Sequence, residues 1–187
     1  MNNIEERFRR APDFSAYLTG VEANRELWES LYRRARVPED LLEATRALTG
    51  TYHLLALSED WCGDAFNVLP VVARWVEQAP GLELRVLGRD DNPDLMDAHL
   101  TGGRSRSIPV VIVYDADFNE VGWWGPRPGP LQAWVLEAGL ALPKDDRYRE
   151  IRRWYARDRG RTAVAEILAV IPEAKVPAAA APSAVPS

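Results

Sequence analysis

Residues 58–65 read SEDWCGDA and contain Cys62, the only cysteine in the chain. The preceding run, YHLLALS at 52–58, is short and almost wholly apolar, which predicts a strand buried on both faces. The following run, AFNVLPVVARWVEQAP at 65–80, carries apolar side chains at helical spacing. The sequence therefore predicts that Cys62 lies where a buried strand passes into a helix.

The elements predicted on either side of this stretch alternate between strand and helix. Further strands are predicted at 82–88, 107–115 and 119–125, and helices at 22–36, 38–50, 92–100, 129–142, 146–160 and 162–171. The short polar turn DADF at 115–118 makes the last two strands antiparallel. This order predicts an α/β fold with a central mixed sheet flanked by helices.

The same pattern divides the chain into four segments. They are an N-terminal helical extension at 1–49, a core at 50–142, C-terminal helices packed on that core at 143–171, and a tail at 172–187. The tail, PEAKVPAAAAPSAVPS, is rich in proline and alanine and has few groups to bury. We therefore expect the tail to be disordered.

Composition excludes several classes of function. The chain has 187 residues and a net charge of −5 with no basic block, so we expect no nucleic-acid partner. We expect no contact with membranes, because no apolar run reaches the roughly 18–20 residues that span a bilayer. Because the charged N-terminus lacks the apolar stretch of a secretory signal and a single cysteine suits a reducing compartment, we expect the chain to be cytoplasmic. Cys62, His53 and His99 are scattered along the chain, so we expect no metal site and no cofactor.

Four segments follow one another in a characteristic order. They are SEDWCGD at 58–64, RDDNPDLMD at 89–97, GGRSRSIPV at 102–110 and WWGPRPGP at 123–130. Together they resemble the thioredoxin superfamily, and in detail a bacterial thioredoxin-like subgroup with a WCGD motif. The resemblance covers roughly residues 50–140 and implies a thioredoxin-like fold with extra helices at both ends. It also implies that the Ile108–Pro109 bond is cis and that Pro109 faces Cys62.

Two positions depart from the pattern of that superfamily. The second active-site cysteine, which resolves the mixed disulfide in those proteins, is replaced here by Ala65. The buried aspartate that assists it is replaced by Ala56. Because one sulfur cannot close an internal disulfide, the sequence excludes a classical dithiol reductase. A single cysteine still attacks a disulfide, and an external thiol must then release the product.

The resemblance implies that Cys62 is the catalytic residue of a monothiol exchange, with a protein or a low-molecular-weight thiol or disulfide as partner. Because a helix N-terminus stabilises a thiolate, we expect a pKa below that of a free cysteine. The resemblance also implies a substrate-binding groove around the sulfur. Its members are Trp61, Gly63, Asp64, Ile108 and Pro109.

The sequence leaves several alternatives open. In the alternative interpretation, the groove of Trp61 and Pro109 belongs to a non-catalytic module that docks an extended peptide, and the sulfur of Cys62 has no role. Asp64 either caps the helix after Cys62 or modulates the thiol and its protons. Four loop arginines either bind the carboxylates of a small thiol or meet solvent and acidic neighbours. They are Arg89, Arg104, Arg106 and Arg127. The oligomeric state is not indicated.

Overall fold

The computed structural model describes residues 3–177, and a mixed four-stranded sheet forms the centre of this part of the chain. The strands are β1 (Tyr52–Ser58), β2 (Leu82–Gly88), β3 (Val110–Tyr114) and β4 (Glu120–Trp124), in the order β2-β1-β3-β4. β1 runs parallel to β2 and antiparallel to β3, and β3 runs antiparallel to β4. The predicted fold class, a mixed sheet flanked by helices, is confirmed.

Helices precede the sheet, connect its strands and follow it. In the described chain they are α1 (Asn3–Arg10), α2 (Phe14–Gly20), α3 (Arg25–Arg34), α4 (Glu39–Arg46), α5 (Gly63–Val76), α6 (Pro93–Ala98), α7 (Gly129–Glu137), α8 (Lys144–Asp158) and α9 (Arg161–Val170), with a 3₁₀ turn at Gly139–Ala141. The boundaries of α1 and α2 were not predicted, although the segment was expected to be helical. Each buries one aromatic residue, Phe8 in α1 and Phe14 in α2.

Burial explains why β1 is central and why α5 follows it directly. The four residues at 54–57 are fully buried between the layers of helices. α5 packs against α3 and α9, and α9 also packs against β4. Trp75 of α5 donates from Nε1 to Thr45 Oγ1 of α4 over 2.8 Å. α5 is thus surrounded by helices from both ends of the chain.

The N-terminal helices hold the loop that precedes Cys62. The carboxylate of Asp60 accepts hydrogen bonds from the backbone amides of Glu22 (2.9 Å) and Ala23 (2.8 Å). Its carbonyl accepts a third bond, 2.9 Å long, from Nε1 of the fully buried Trp28. The extension therefore fixes the backbone immediately before Trp61 and Cys62.

The C-terminal helices turn back onto α5 at Gly160. This residue has φ +82, and a Cβ added to it would lie 2.2 Å from Cγ1 of Val71 in α5. Only glycine allows so close an approach in this conformation. The tail that was predicted to be disordered, 172–187, is described only as far as residue 177. Within it, Glu173 accepts hydrogen bonds from Thr49, Gly50 and Tyr52 beside β1, so its first residues contact the core.

Candidate active site

Cys62 occupies the junction of β1 and α5 that its sequence position predicts. It is the N-cap residue of α5, with an extended backbone, and its carbonyl accepts a hydrogen bond from Phe66 N. Its thiol donates to the carbonyl oxygen of Ile108, with Sγ and O 3.4 Å apart. The side chain is 7% exposed. The sulfur is therefore close to the surface but largely covered.

The expected lowering of the Cys62 pKa is wrong in the resting structure. Burial raises the pKa of the thiol above that of a free cysteine, and the nearby carboxylate of Asp64 adds to the rise. The backbone amides of Ala65 and Asp64 and the charge of Arg127 act in the opposite direction. The helix N-terminus stabilises the thiolate as expected, but desolvation of the sulfur outweighs it.

The raised pKa predicts a steep pH dependence for the reactivity of Cys62. Only the thiolate is alkylated, so in the native protein the rate with iodoacetamide should keep rising about tenfold per pH unit from about pH 7 past the ordinary cysteine pKa of about 8.5. In urea the same rate should level off near the ordinary pKa of about 8.5. A native rate that levels off at or below about pH 8.5 would contradict the burial argument.

The raised pKa of the Cys62 thiol also determines how this group's contribution to stability changes with pH. The folded chain holds the Cys62 proton more tightly than the unfolded chain does. The contribution is therefore fully present below the unfolded pKa of about 8.5 and is lost as the pH rises through the higher folded pKa.

Of the residues predicted to form the groove, Ile108 contacts the sulfur through its carbonyl oxygen, and Trp61 and Gly63 are the sequence neighbours of Cys62. The Ile108–Pro109 peptide is cis, and both residues are buried at the start of β3. Trp61 is 53% exposed, and the guanidinium carbon of Arg89 lies 5.2 Å from its ring centroid. Gly63 is exposed at the first residue of α5. An exposed aromatic residue thus directly precedes the covered cysteine in the sequence.

Asp64 neither caps α5 nor points to the surface. Its Oδ2 forms an ion pair with Nη2 of Arg127 over 2.6 Å, and its Oδ1 accepts a 2.8 Å hydrogen bond from the hydroxyl of Tyr155. Burial raises the pKa of this carboxyl group, while the bonds from Arg127 and Tyr155 oppose the rise. The carboxylate is therefore engaged inside the protein, and we call these three residues the Asp64 cluster.

The Asp64 cluster joins three distant parts of the chain. Asp64 is the second residue of α5, Arg127 lies between β4 and α7, and Tyr155 lies in α8. Arg127 also donates from Nη1 to Gln132 Oε1 over 3.0 Å. Sequence reasoning named Arg127 only as a ligand candidate and missed Tyr155. The WWGPRPGP segment was a usable signal for Arg127, whereas nothing in the local sequence pointed to Tyr155.

Three of the four loop arginines that were candidates for binding a small thiol are paired with carboxylates instead. Arg89 pairs with Asp90, Arg106 forms two bonds to Asp97, and Arg127 belongs to the Asp64 cluster. The alternative in which these side chains meet acidic neighbours therefore describes them better.

Two kinds of site are absent from the described residues. Among residues 3–177, no three or more side chains of His, Cys, Asp or Glu are grouped so that they would bind a metal ion. In the same range no helix has both the length and the apolar character to cross a bilayer.

Comparison with known proteins agrees with the fold. The profile of the thioredoxin family matches residues 11–155, and no curated protein matches the chain. A crystal structure of a protein of unknown function from Pseudomonas aeruginosa is 23% identical, with a TM-score of 0.72, over 91% of this chain and 98% of its own. An HIV epitope-scaffold is 24% identical, with a TM-score of 0.71, over 93% of this chain and 100% of its own. At these identities the likeness concerns the fold.

Proposed function

Because the chain belongs to the thioredoxin family, we propose that it carries out thiol–disulfide exchange through a single cysteine, Cys62. One observation carries the proposal. The sulfur lies at the N-terminus of α5, where the amides of Asp64 and Ala65 stabilise its thiolate, and the residue before it is the exposed Trp61. Attack on a partner disulfide requires a nucleophile, fixed dipoles that stabilise the charge of the thiolate, and an apolar surface that contacts the partner, and these groups supply all three.

The reaction conserves atoms and electrons. Cys62 loses its proton to solvent, and an electron pair of the thiolate attacks one sulfur of a partner disulfide. The partner's S–S bond breaks, its other sulfur leaves with the bonding pair, and it takes up a proton. A mixed disulfide on Cys62 remains. A second thiol, from a low-molecular-weight compound or another protein, then attacks this bond and restores the Cys62 thiol.

Burial of Cys62 makes this exchange slow at neutral pH. The covered thiol is mostly protonated at neutral pH, so its attack is slow unless the sulfur becomes more exposed or the pH rises. The position that would hold a resolving cysteine is occupied by the fully buried Ala65. A mixed disulfide should therefore persist until an external thiol removes it.

A second candidate function is a docking module in which the sulfur takes no part. The exposed ring of Trp61, flanked by the guanidinium of Arg89, favours this reading because aromatic side chains and arginine are common anchors of interfaces. An extended peptide would then lie along Trp61 and Pro109.

Mass spectrometry after incubation with oxidised glutathione at about pH 9 separates the two functions. For exchange, we expect one glutathionyl group on the wild-type protein, its removal by added reduced thiol, and none on Cys62→Ser. Wild-type protein unfolded in urea is the control, because it shows whether the uncovered sulfur reacts with oxidised glutathione. Labelling of the unfolded chain but not of the native protein would overturn the exchange proposal and leave the docking module as the better explanation.

A further inference from the structure

A cavity of about 490 Å³ lies between α3, α5 and α8, apart from the groove around Cys62. Its volume is in the range typical of sites for small molecules, about 300–1,000 Å³. Apolar side chains form much of the wall, and four arginines line it as well. The apolar group includes Leu31, Pro70 and Val71, and the arginines are Arg34, Arg36, Arg152 and Arg159.

The four arginines have no carboxylate partner among residues 3–177. Arg34 and Arg36 donate only to backbone carbonyls of their own segment. The guanidinium groups of Arg152 and Arg159 form no hydrogen bond with the described residues. By contrast, Arg74 of α5 is paired with Glu77.

This excess of positive charge stands out in a chain whose net charge is −5. All four arginines are exposed and none of them is paired with a carboxylate, so an anion placed among them would gain the attraction of several guanidinium groups. The fork of a guanidinium matches the two oxygens of a carboxylate or phosphate. Because the concave wall is largely apolar, the anion that binds here should also have an apolar body that packs against this wall.

We propose that this cavity binds a small organic anion that has an apolar body and one or more carboxylate or phosphate groups. The anionic groups lie among Arg34, Arg36, Arg152 and Arg159, and the body packs on Pro70 and Val71. A small molecule fits better than a macromolecule because the surface is concave and of limited volume. Cys62 does not line this cavity, although Tyr155 of the Asp64 cluster does, and the proposal does not depend on thiol exchange.

The experiment uses 1-naphthyl phosphate as the probe and isothermal titration calorimetry of the full chain. We expect binding of one probe per chain with a dissociation constant below about 1 mM. Inorganic phosphate and 1-naphthol supply the two halves of the probe separately, and each should bind at least about tenfold more weakly. A probe that binds no better than phosphate alone would overturn the requirement for an apolar body, and with it the proposal.

Two double variants test where the probe binds. Arg34→Gln/Arg152→Gln removes one charge from each of two helices that line the cavity, and should weaken binding at least about tenfold. Arg33→Gln/Arg157→Gln removes equal charge from the same helices, but at residues that do not line the cavity. It should retain wild-type affinity within about twofold. Circular dichroism checks that both variants fold. Equal losses in the two variants, or no binding to the wild type, would refute the site.

Discussion

Gly125→Ala is expected to lose about 3 kcal/mol or more of the free energy of unfolding, from backbone strain and overpacking together. Gly125 has φ +147, a conformation that residues with a side chain rarely adopt. A Cβ at this position would lie 2.3 Å from the carbonyl oxygen of Pro109 and 3.2 Å from Cα of Val110. Both are backbone atoms at the start of β3, so they cannot move aside as the end of a flexible side chain can.

Urea unfolding measures this loss, and Gly102→Ala is the matched control. Gly102 also has a positive φ, +58, but no atom lies within 4 Å of its added Cβ. This control should cost only the conformational penalty, about 1 kcal/mol. The difference between the two variants is therefore the cost of the clash with β3. Equal losses would show that β3 and the 125–128 loop separate readily, contrary to their close contact here.

The central part of the fold was predictable because its signals are local. β1 and β2 begin and end where the apolar runs do, and Pro93 sets the start of α6. β3 begins at Val110 rather than at residue 107, since a proline at 109 has no N–H to donate to the sheet. The boundaries of α1 were not predicted because a short charged helix that buries only Phe8 depends on tertiary contacts.

The sequence predicted only those features of the site that depend on residues next to one another in the chain. The place of Cys62 follows from the strand and helix on either side of it. The direction of its pKa does not, because the cover over the sulfur comes from residues distant in sequence, such as Ile108. Asp64 looks like a capping residue in the first turn of α5. Its actual partners, Arg127 and Tyr155, are 63 and 91 positions away, and periodicity carries no information on such pairs.

Arg127→Met should cost about 3 kcal/mol at neutral pH, because it leaves the carboxylate of Asp64 buried without its cation. The side chains of Arg127 and Asp64 are only 21% and 11% exposed, so solvent screens the pair weakly. The hydroxyl of Tyr155 remains as a neutral donor to the carboxylate. One neutral hydrogen bond contributes about 1 kcal/mol and does not replace an ion pair of this burial.

The pH dependence of the loss distinguishes a buried charge from lost packing. Without the arginine, the pKa of Asp64 rises beyond the upward shift that burial already causes. Folded Asp64 then binds a proton more tightly than the unfolded chain, so the contribution of this group to stability decreases as the pH rises through its folded pKa. Chemical denaturation should therefore show a smaller loss at about pH 4.5 than at about pH 7. A loss of equal size at both pH values would contradict the argument.

Asp64→Asn/Arg127→Met completes the test and connects the cluster to the thiol. With neither charge present, part of the stability lost in Arg127→Met should return, and the double-mutant cycle gives the coupling of the pair. Asp64 raises the pKa of Cys62 and Arg127 lowers it. Alkylation of Cys62 at a fixed pH should therefore be slower in Arg127→Met than in the wild type, and should recover in the double variant. Unchanged alkylation in both variants would mean that the Asp64 cluster supports the fold without influencing the sulfur.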